Sequence, residues 1–250
     1  MLITPDFVFV HLPKTGGTFV TKILHEIYGE KAIEYGRKHA TCDEIPEHEL
    51  TKPILSVFRS PFDRYVSQYH YGWWKTHPEE YCKIDKVVEK YPHYPEISFY
   101  DFVHIANDFF TNTHQGKENG YINTKLSNED KMGWHTEQFV RFFCHKSRQA
   151  FADIDEIQLK KGKHLKDEYS VHFLHTDRLN SDLADFLVQF DIDETILNNV
   201  LVHKPVLPNE AFELREKSDA FSYFNEDLKN FVTQREQFLF HRFPQYMNLS

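Results

Sequence analysis

The run His11-Leu12-Pro13-Lys14-Thr15-Gly16-Gly17-Thr18-Phe19 carries the densest chemistry in the chain. A glycine-rich turn that enters a helix presents backbone N–H groups at the positive end of the helix dipole, an anion site suited to phosphate. Lys14 adds a mobile cation, and Thr15 and Thr18 add hydroxyl donors. The same residues would also suit an ordinary strand–helix turn. A second element, Phe58 to Ser67, reads F-R-S-P-F-D-R-Y-V-S. Arg59 falls at the C-terminal end of a predicted strand, where open α/β sheets bind ligands. A guanidinium with a hydroxyl, Ser67, two helical turns on makes a second phosphate site. Asp63 and Arg64 equally suit a solvated helix face. The nucleoside-triphosphate loop G-x-x-x-x-G-K-[ST] places its Lys after the glycines, whereas Lys14 precedes Gly16 and Gly17. Arg59 also stands where a triphosphatase would hold an acidic Mg²⁺ partner.

Short elements position these motifs. Phe7 to Leu12 is a largely apolar run, as buried parallel strands are. Phe19, Val20, Ile23, Leu24 and Ile27 then recur at helical spacing, with Gly29 as the stop. Ile54 to Phe58 is a second strand. Ser60 as N-cap and Pro61 as first residue open a helix running toward Trp73 and Trp74. From about 77 to 131 the periodicity weakens, with one helix over Ser98 to Phe110 and a turn at Asn119-Gly120. This stretch reads as a lid or acceptor-specificity insertion within a single domain spanning 1–250. Helices are predicted over Thr136 to Phe143, Ser181 to Phe190 and Asn225 to Phe243, and a strand over Val171 to His175. Strands alternating with helices predict an α/β fold with a mainly parallel central sheet and flanking helices.

The two motifs, about 40 residues apart, resemble those of the sulfotransferases that use 3′-phosphoadenosine 5′-phosphosulfate (PAPS). The likeness is closest to the Golgi-type carbohydrate sulfotransferases and their bacterial relatives. P-K-T-G-G-T resembles their 5′-phosphosulfate loop, and R-S-P-F-D-R-Y-V-S their R-x-P-x-x-R-x-x-S element for the 3′-phosphate. Lys38-His39-Ala40-Thr41 is similar to a K-H-A-[ST] stretch. Trp134 to Gln138 is similar to H-W-x-P-Q without its Pro. Thr176-Asp177-Arg178-Leu179 resembles a later strand–helix junction, with Asp177 where the family usually has Glu. The resemblance leaves about 72–133 uncovered.

The resemblance implies sulfuryl transfer from PAPS to a hydroxyl of a carbohydrate or carbohydrate-like acceptor, with adenosine 3′,5′-bisphosphate (PAP) as product. Lys14, Thr15, Gly16, Gly17, Thr18 and Phe19 would hold the 5′ end, and Lys14 would neutralise the leaving oxygen. Arg59 and Ser67 would hold the 3′-phosphate. His39, an imidazole between the two phosphate elements, is the candidate general base. His11, His70, His135 and Glu137 are its rivals, and His39 also reads as a surface loop residue. His70, Trp73, His135 and Gln138 are candidate acceptor contacts. His70 and the nearby aromatics equally suit helix-end packing. The alternatives are a nucleotide-loop phosphotransferase and a non-catalytic nucleotide- or glycan-binding module.

Composition narrows the partners. Lys plus Arg number 29 against 38 Asp plus Glu, a net charge of −9, which speaks against a dedicated nucleic-acid binder. The 23 Phe and 13 Tyr read as a Phe-rich core, and most of the 16 His as surface residues. Cys42, Cys82 and Cys144 form no C-x-x-C pair, which fits a reducing compartment. His172 and His175 lack metal-ligand spacing, so no metal is expected. The basic run Lys160 to Lys166 reads as a solvated loop or a contact for an acidic acceptor. No spanning segment or secretory signal is visible, so a cytoplasmic location is expected, and Asn248-Leu249-Ser250 reads as a chance glycosylation pattern.

Overall fold

In the computed structural model, residues 1–111, 113–114, 116–161, 165–204 and 220–247 are described. The centre of the basic run, 162–164, and the pattern at 248–250 lie outside the described residues. The chain opens with β1 (Leu2–Ile3) and β2 (Val8–Phe9), an antiparallel pair joined through Thr4. The Thr4 hydroxyl donates to the Phe7 carbonyl (2.8 Å) and accepts the Phe7 N–H (3.0 Å), closing the turn. Next come α1 (Gly17–Tyr28), β3 (Ile33–Glu34) and β4 (Ile54–Phe58). Four helices follow: α2 (Pro61–Tyr71), α3 (Trp73–Thr76), α4 (Ile84–Lys90) and α5 (Phe99–Ile105). A small hairpin, β5 (Thr113–His114) with β6 (Lys117–Glu118), precedes α6 (Trp134–Phe143), α7 (Ser147–Asp153) and α8 (Glu156–Lys161). The last elements are β7 (Val171–His175), α9 (Leu179–Leu187), α10 (Glu194–Val202), α11 (Glu226–Arg235) and α12 (Gln237–Arg242).

These elements form two compact units. The first is Met1–Arg59 with Tyr169–Glu216, and the second is Ser60–Glu168 with Lys217–Ser250. The first unit is α/β, with a five-stranded sheet in the order β3-β1-β2-β4-β7. β2, β4 and β7 run parallel, while β1 and β3 add an antiparallel edge. A two-residue strand carries no readable alternation, so this edge has no sequence signature. β4 and β7 keep the predicted bounds because each is a five-residue run between turn signals. β2 is shorter than the apolar run Phe7 to Leu12, although the Val10 N–H still donates to Leu55 (2.9 Å). Buried Ser56 donates to the Val10 carbonyl (2.7 Å), which accounts for a hydroxyl in the core. Phe7, just before β2, and Phe9, Leu55 and Leu174 of the sheet pack with Val20, Leu24, Leu183 and Leu187 of the helices.

Among the described residues, the regular elements of the second unit are helices apart from the β5–β6 hairpin, and buried aromatic rings are numerous. Phe102, Phe110, Phe139, Phe143 and Phe238 are buried. Phe110 meets Trp134 at 5.3 Å between ring centroids, and Phe139 meets Phe143 at 5.1 Å. The helix predicted over Ser98 to Phe110 begins with Ser98 accepting the Asp101 N–H (3.1 Å) and ends as a π-helical turn at Ala106–Phe110. The predicted helix from Asn225 to Phe243 is two helices. It breaks at Glu236 (φ −105°, ψ 19°), whose carboxylate turns into the interior. Ser60 precedes Pro61 as predicted, but its side chain makes no capping bond.

Candidate anion-binding site in the first unit

The parallel strands β2, β4 and β7 all deliver their C-terminal ends to one edge of the sheet. Residues 10–16 leave β2 there, Arg59 leaves β4 and Thr176 leaves β7. The loop owes its shape to two left-handed residues, Lys14 (φ 65°) and Gly16 (φ 102°). A lysine there is strained and persists only where its surroundings hold it. The Thr15 hydroxyl donates to the Leu12 carbonyl (2.9 Å), and the Thr176 hydroxyl to the Thr15 carbonyl (2.6 Å). Arg59 Nη1 reaches the Lys14 carbonyl in a long contact of 3.5 Å.

α1 starts at Gly17 with Gly16 as its cap. No side chain caps it and no acidic residue lies in its first turn. Such a terminus suits an anion. Each glycine has a distinct steric reason. A Cβ on Gly16 would lie 2.9 Å from Leu179 Cδ2, and one on Gly17 would fall 2.3–2.8 Å from three atoms of the His11 ring.

His39 is exposed, and its Nδ1–H donates to the His11 carbonyl (2.8 Å). A carbonyl only accepts, so this bond places the Nδ1 proton and leaves Nε2 as the basic nitrogen of the neutral ring. The His11 and His39 rings meet edge-on at 4.7 Å. Burial, then the neighbouring His39, Lys38 and Lys14, hold the His11 imidazole well below its usual range. His11 is therefore a neutral, buried support beside the loop.

The loop residues, His39 and Arg59 thus come together in the first unit. Ser67, His70, Trp73, His135 and Gln138 belong to the second. Ser67 is buried on α2. His70 is exposed and shares a hydrogen bond with the Tyr223 hydroxyl (2.7 Å). Trp73 is 38% exposed, stacks on His77 at 3.7 Å and donates its Nε1–H to Glu80 (2.8 Å). His135 and Gln138 differ from these two. Both are buried, His135 bonded to Gln68 (2.7 Å) and Gln138 to Arg64. They occupy the first turn of α6, in which every residue from Trp134 to Gln138 is buried, so no alternation marks an open face. Burial, then Arg64, holds the His135 imidazole well below its usual range. Glu137 is buried too, and burial above all raises its carboxyl to about 8. Of the five candidate bases, only His39 and His70 are exposed.

The contribution of Thr176 was not legible in the sequence. Its available signal is its place, directly after a parallel strand at the ligand-binding edge. Among the described residues, no group of three or more His, Cys, Asp or Glu is arranged to hold a metal. No helix there is long and apolar enough to cross a membrane.

No family model matches the chain. No curated protein matches it. Among solved structures it is similar to mouse sulfotransferase SULT7A1 complexed with PAP, at 11% identity and a TM-score of 0.46, over 98% of this chain and 85% of that one.

Proposed function

We propose that the chain is a PAPS-dependent sulfotransferase that moves a sulfuryl group to a hydroxyl of a carbohydrate or carbohydrate-like acceptor. The observation that carries this reading is the pairing of two phosphate-type elements at one sheet edge. These are a left-handed loop opening α1 and the Arg59 guanidinium beside that loop's backbone. In this reading the loop amides, Thr15's among them, and the Thr18 hydroxyl hold the 5′-phosphate, because the buried Thr15 hydroxyl, expected as a donor, already gives its proton to the Leu12 carbonyl. Arg59 and Ser67, from their motif, take the 3′-phosphate. The acceptor oxygen attacks sulfur in line, the bond from sulfur to the 5′-phosphate oxygen breaks, and PAP leaves. Lys14 neutralises the charge on that oxygen. His39 Nε2 takes the acceptor's proton, a role supported by its exposure and by its Nδ1–H bond to His11.

His70 and Trp73 are the acceptor contacts we favour, with residues 77–131 shaping the specificity of a single-domain enzyme. The cytoplasmic assignment rests on the sequence, in which Cys42, Cys82 and Cys144 form no C-x-x-C pair.

The deciding experiment screens hydroxyl-bearing small molecules and glycans with PAPS and looks by mass spectrometry for an added sulfuryl group. Calorimetry supplies the donor test. PAP should bind about ten- to a hundredfold more tightly than AMP, as one or two charge-assisted hydrogen bonds would give. Arg59→Ala should remove most of that preference. Equal affinities would sink the 3′-phosphate assignment, and transfer of a phosphoryl group from ATP would favour the phosphotransferase alternative.

A further inference from the structure

Thr176 touches the main chain of both donor elements. Its single hydroxyl lies 2.6 Å from the Thr15 carbonyl and 3.0 Å from the Phe58 carbonyl. Thr15 sits between the two left-handed residues of the loop, and Phe58 immediately precedes Arg59. One proton is shared between two carbonyl acceptors, which favours the closer one and keeps the other within reach. The Thr176 methyl faces the loop from the same side, with Cγ2 3.8 Å from where a Cβ on Gly16 would lie, beside Leu179. Removing the hydroxyl would free two main-chain segments from a common anchor while leaving the side chain's bulk in place.

We propose that Thr176 is a positioning residue that sets the spacing between the loop and Arg59. It thereby governs discrimination between a nucleotide carrying both 5′- and 3′-phosphates and one carrying only the 5′-phosphate. The inference rests on the donor reading above and adds a residue that contacts neither phosphate. A 5′-monophosphate needs the loop alone, so it tolerates a change in spacing. A 3′,5′-bisphosphate needs loop and guanidinium at a fixed separation.

The test compares Thr176→Val, which keeps the shape without the donor, with Thr176→Ser, which keeps the donor. PAP and AMP are the probes in calorimetry, and hydrogen exchange of the amides at 14–18 is followed without nucleotide. In the Val variant the preference for PAP over AMP should fall about three- to tenfold, the effect of one hydrogen bond. The loop amides should exchange faster, while Ser stays within about twofold of wild type on both counts. A Val variant with the wild-type preference, or a Ser variant as impaired as Val, overturns the proposal. Should Val fail to fold, Thr176→Ala carries the same forecast. A wild type with no preference for PAP defeats the donor reading instead. The tie is then judged by exchange, where faster loop exchange in Val upholds it and unchanged exchange overturns it.

Discussion

Around the loop of the first unit, the polar atoms held in place are main-chain carbonyls, those of His11, Leu12, Lys14 and Thr15. The second unit instead buries a side-chain carboxylate. Glu236 accepts from the Tyr65 hydroxyl (2.6 Å), the His135 N–H (3.0 Å), and the Thr136 N–H (2.8 Å) and hydroxyl (2.7 Å). Burial pushes its carboxyl above the usual range, against the pull of those donors. A binding surface made of backbone can lose a side chain and keep its fold. A core built round a buried acid cannot, because every lost acceptor leaves buried donors without partners. In the proposed reading, variants at Lys14 and His39 of the first unit should therefore lose chemistry while staying folded, and variants at Glu236 and its partners in the second should lose stability.

His39→Ala should give the largest loss on the chemical side. Transfer to whichever acceptor the screen identifies should slow by about two to four decades, with PAP affinity and melting nearly unchanged. His135→Ala and Glu137→Ala, assayed beside it, should act mainly on stability. If either of them stops transfer in a fully folded protein, the base belongs to the second unit and the contrast fails. Glu236→Ala should destabilise the protein by about 3–5 kcal/mol in denaturant titration, since four donors lose their acceptor. A loss under about 1 kcal/mol would mean that the aromatic packing alone holds that unit. Lys14→Ala should lower turnover by about two to three decades and PAP affinity much less, the signature of a group acting on the transition state.

The last effect is a pH dependence. Burial raises the Glu137 carboxyl to about 8, above its ordinary value when unfolded. A raised folded pKa contributes stability that is fully present below about 4.3 and is lost as pH climbs through about 8. Denaturation midpoints should therefore fall from pH 5 to 8.5 in the wild type, and Glu137→Gln should flatten that decline. An equal slope in both proteins would assign the titration elsewhere.

Legibility in the sequence followed the range of the interactions. Ile54–Phe58 and Val171–His175 announce themselves as apolar runs, and α1 as a helical stripe behind two glycines. The loop and Arg59 were readable because strand–turn–helix order needs only neighbouring residues. β1 and β3 were not, since their pairing depends on partners elsewhere in the chain. Thr176 and Glu236 act across 161 and 171 residues, on Thr15 and Tyr65, through contacts that no local period encodes. The burial of His135 and Gln138 met the same limit. Their neighbourhood looks polar in sequence, yet the whole first turn of α6 faces inward.

Each unit is made of two stretches of chain, and each is completed by the later one. That arrangement has a consequence for biosynthesis. A chain synthesised as far as Glu168 already carries both phosphate-type motifs, His39 and the whole of α6. It still lacks β7, the Thr176 hydroxyl and the Glu236 carboxylate. The sheet would stop at β4, and the Thr15 and Phe58 carbonyls would await their shared donor. Closing loops of this length costs entropy before any contact offsets it. The nascent protein should therefore acquire its two units only after their later stretches have emerged, and until then should expose the hydrophobic edge of β4 to chaperones.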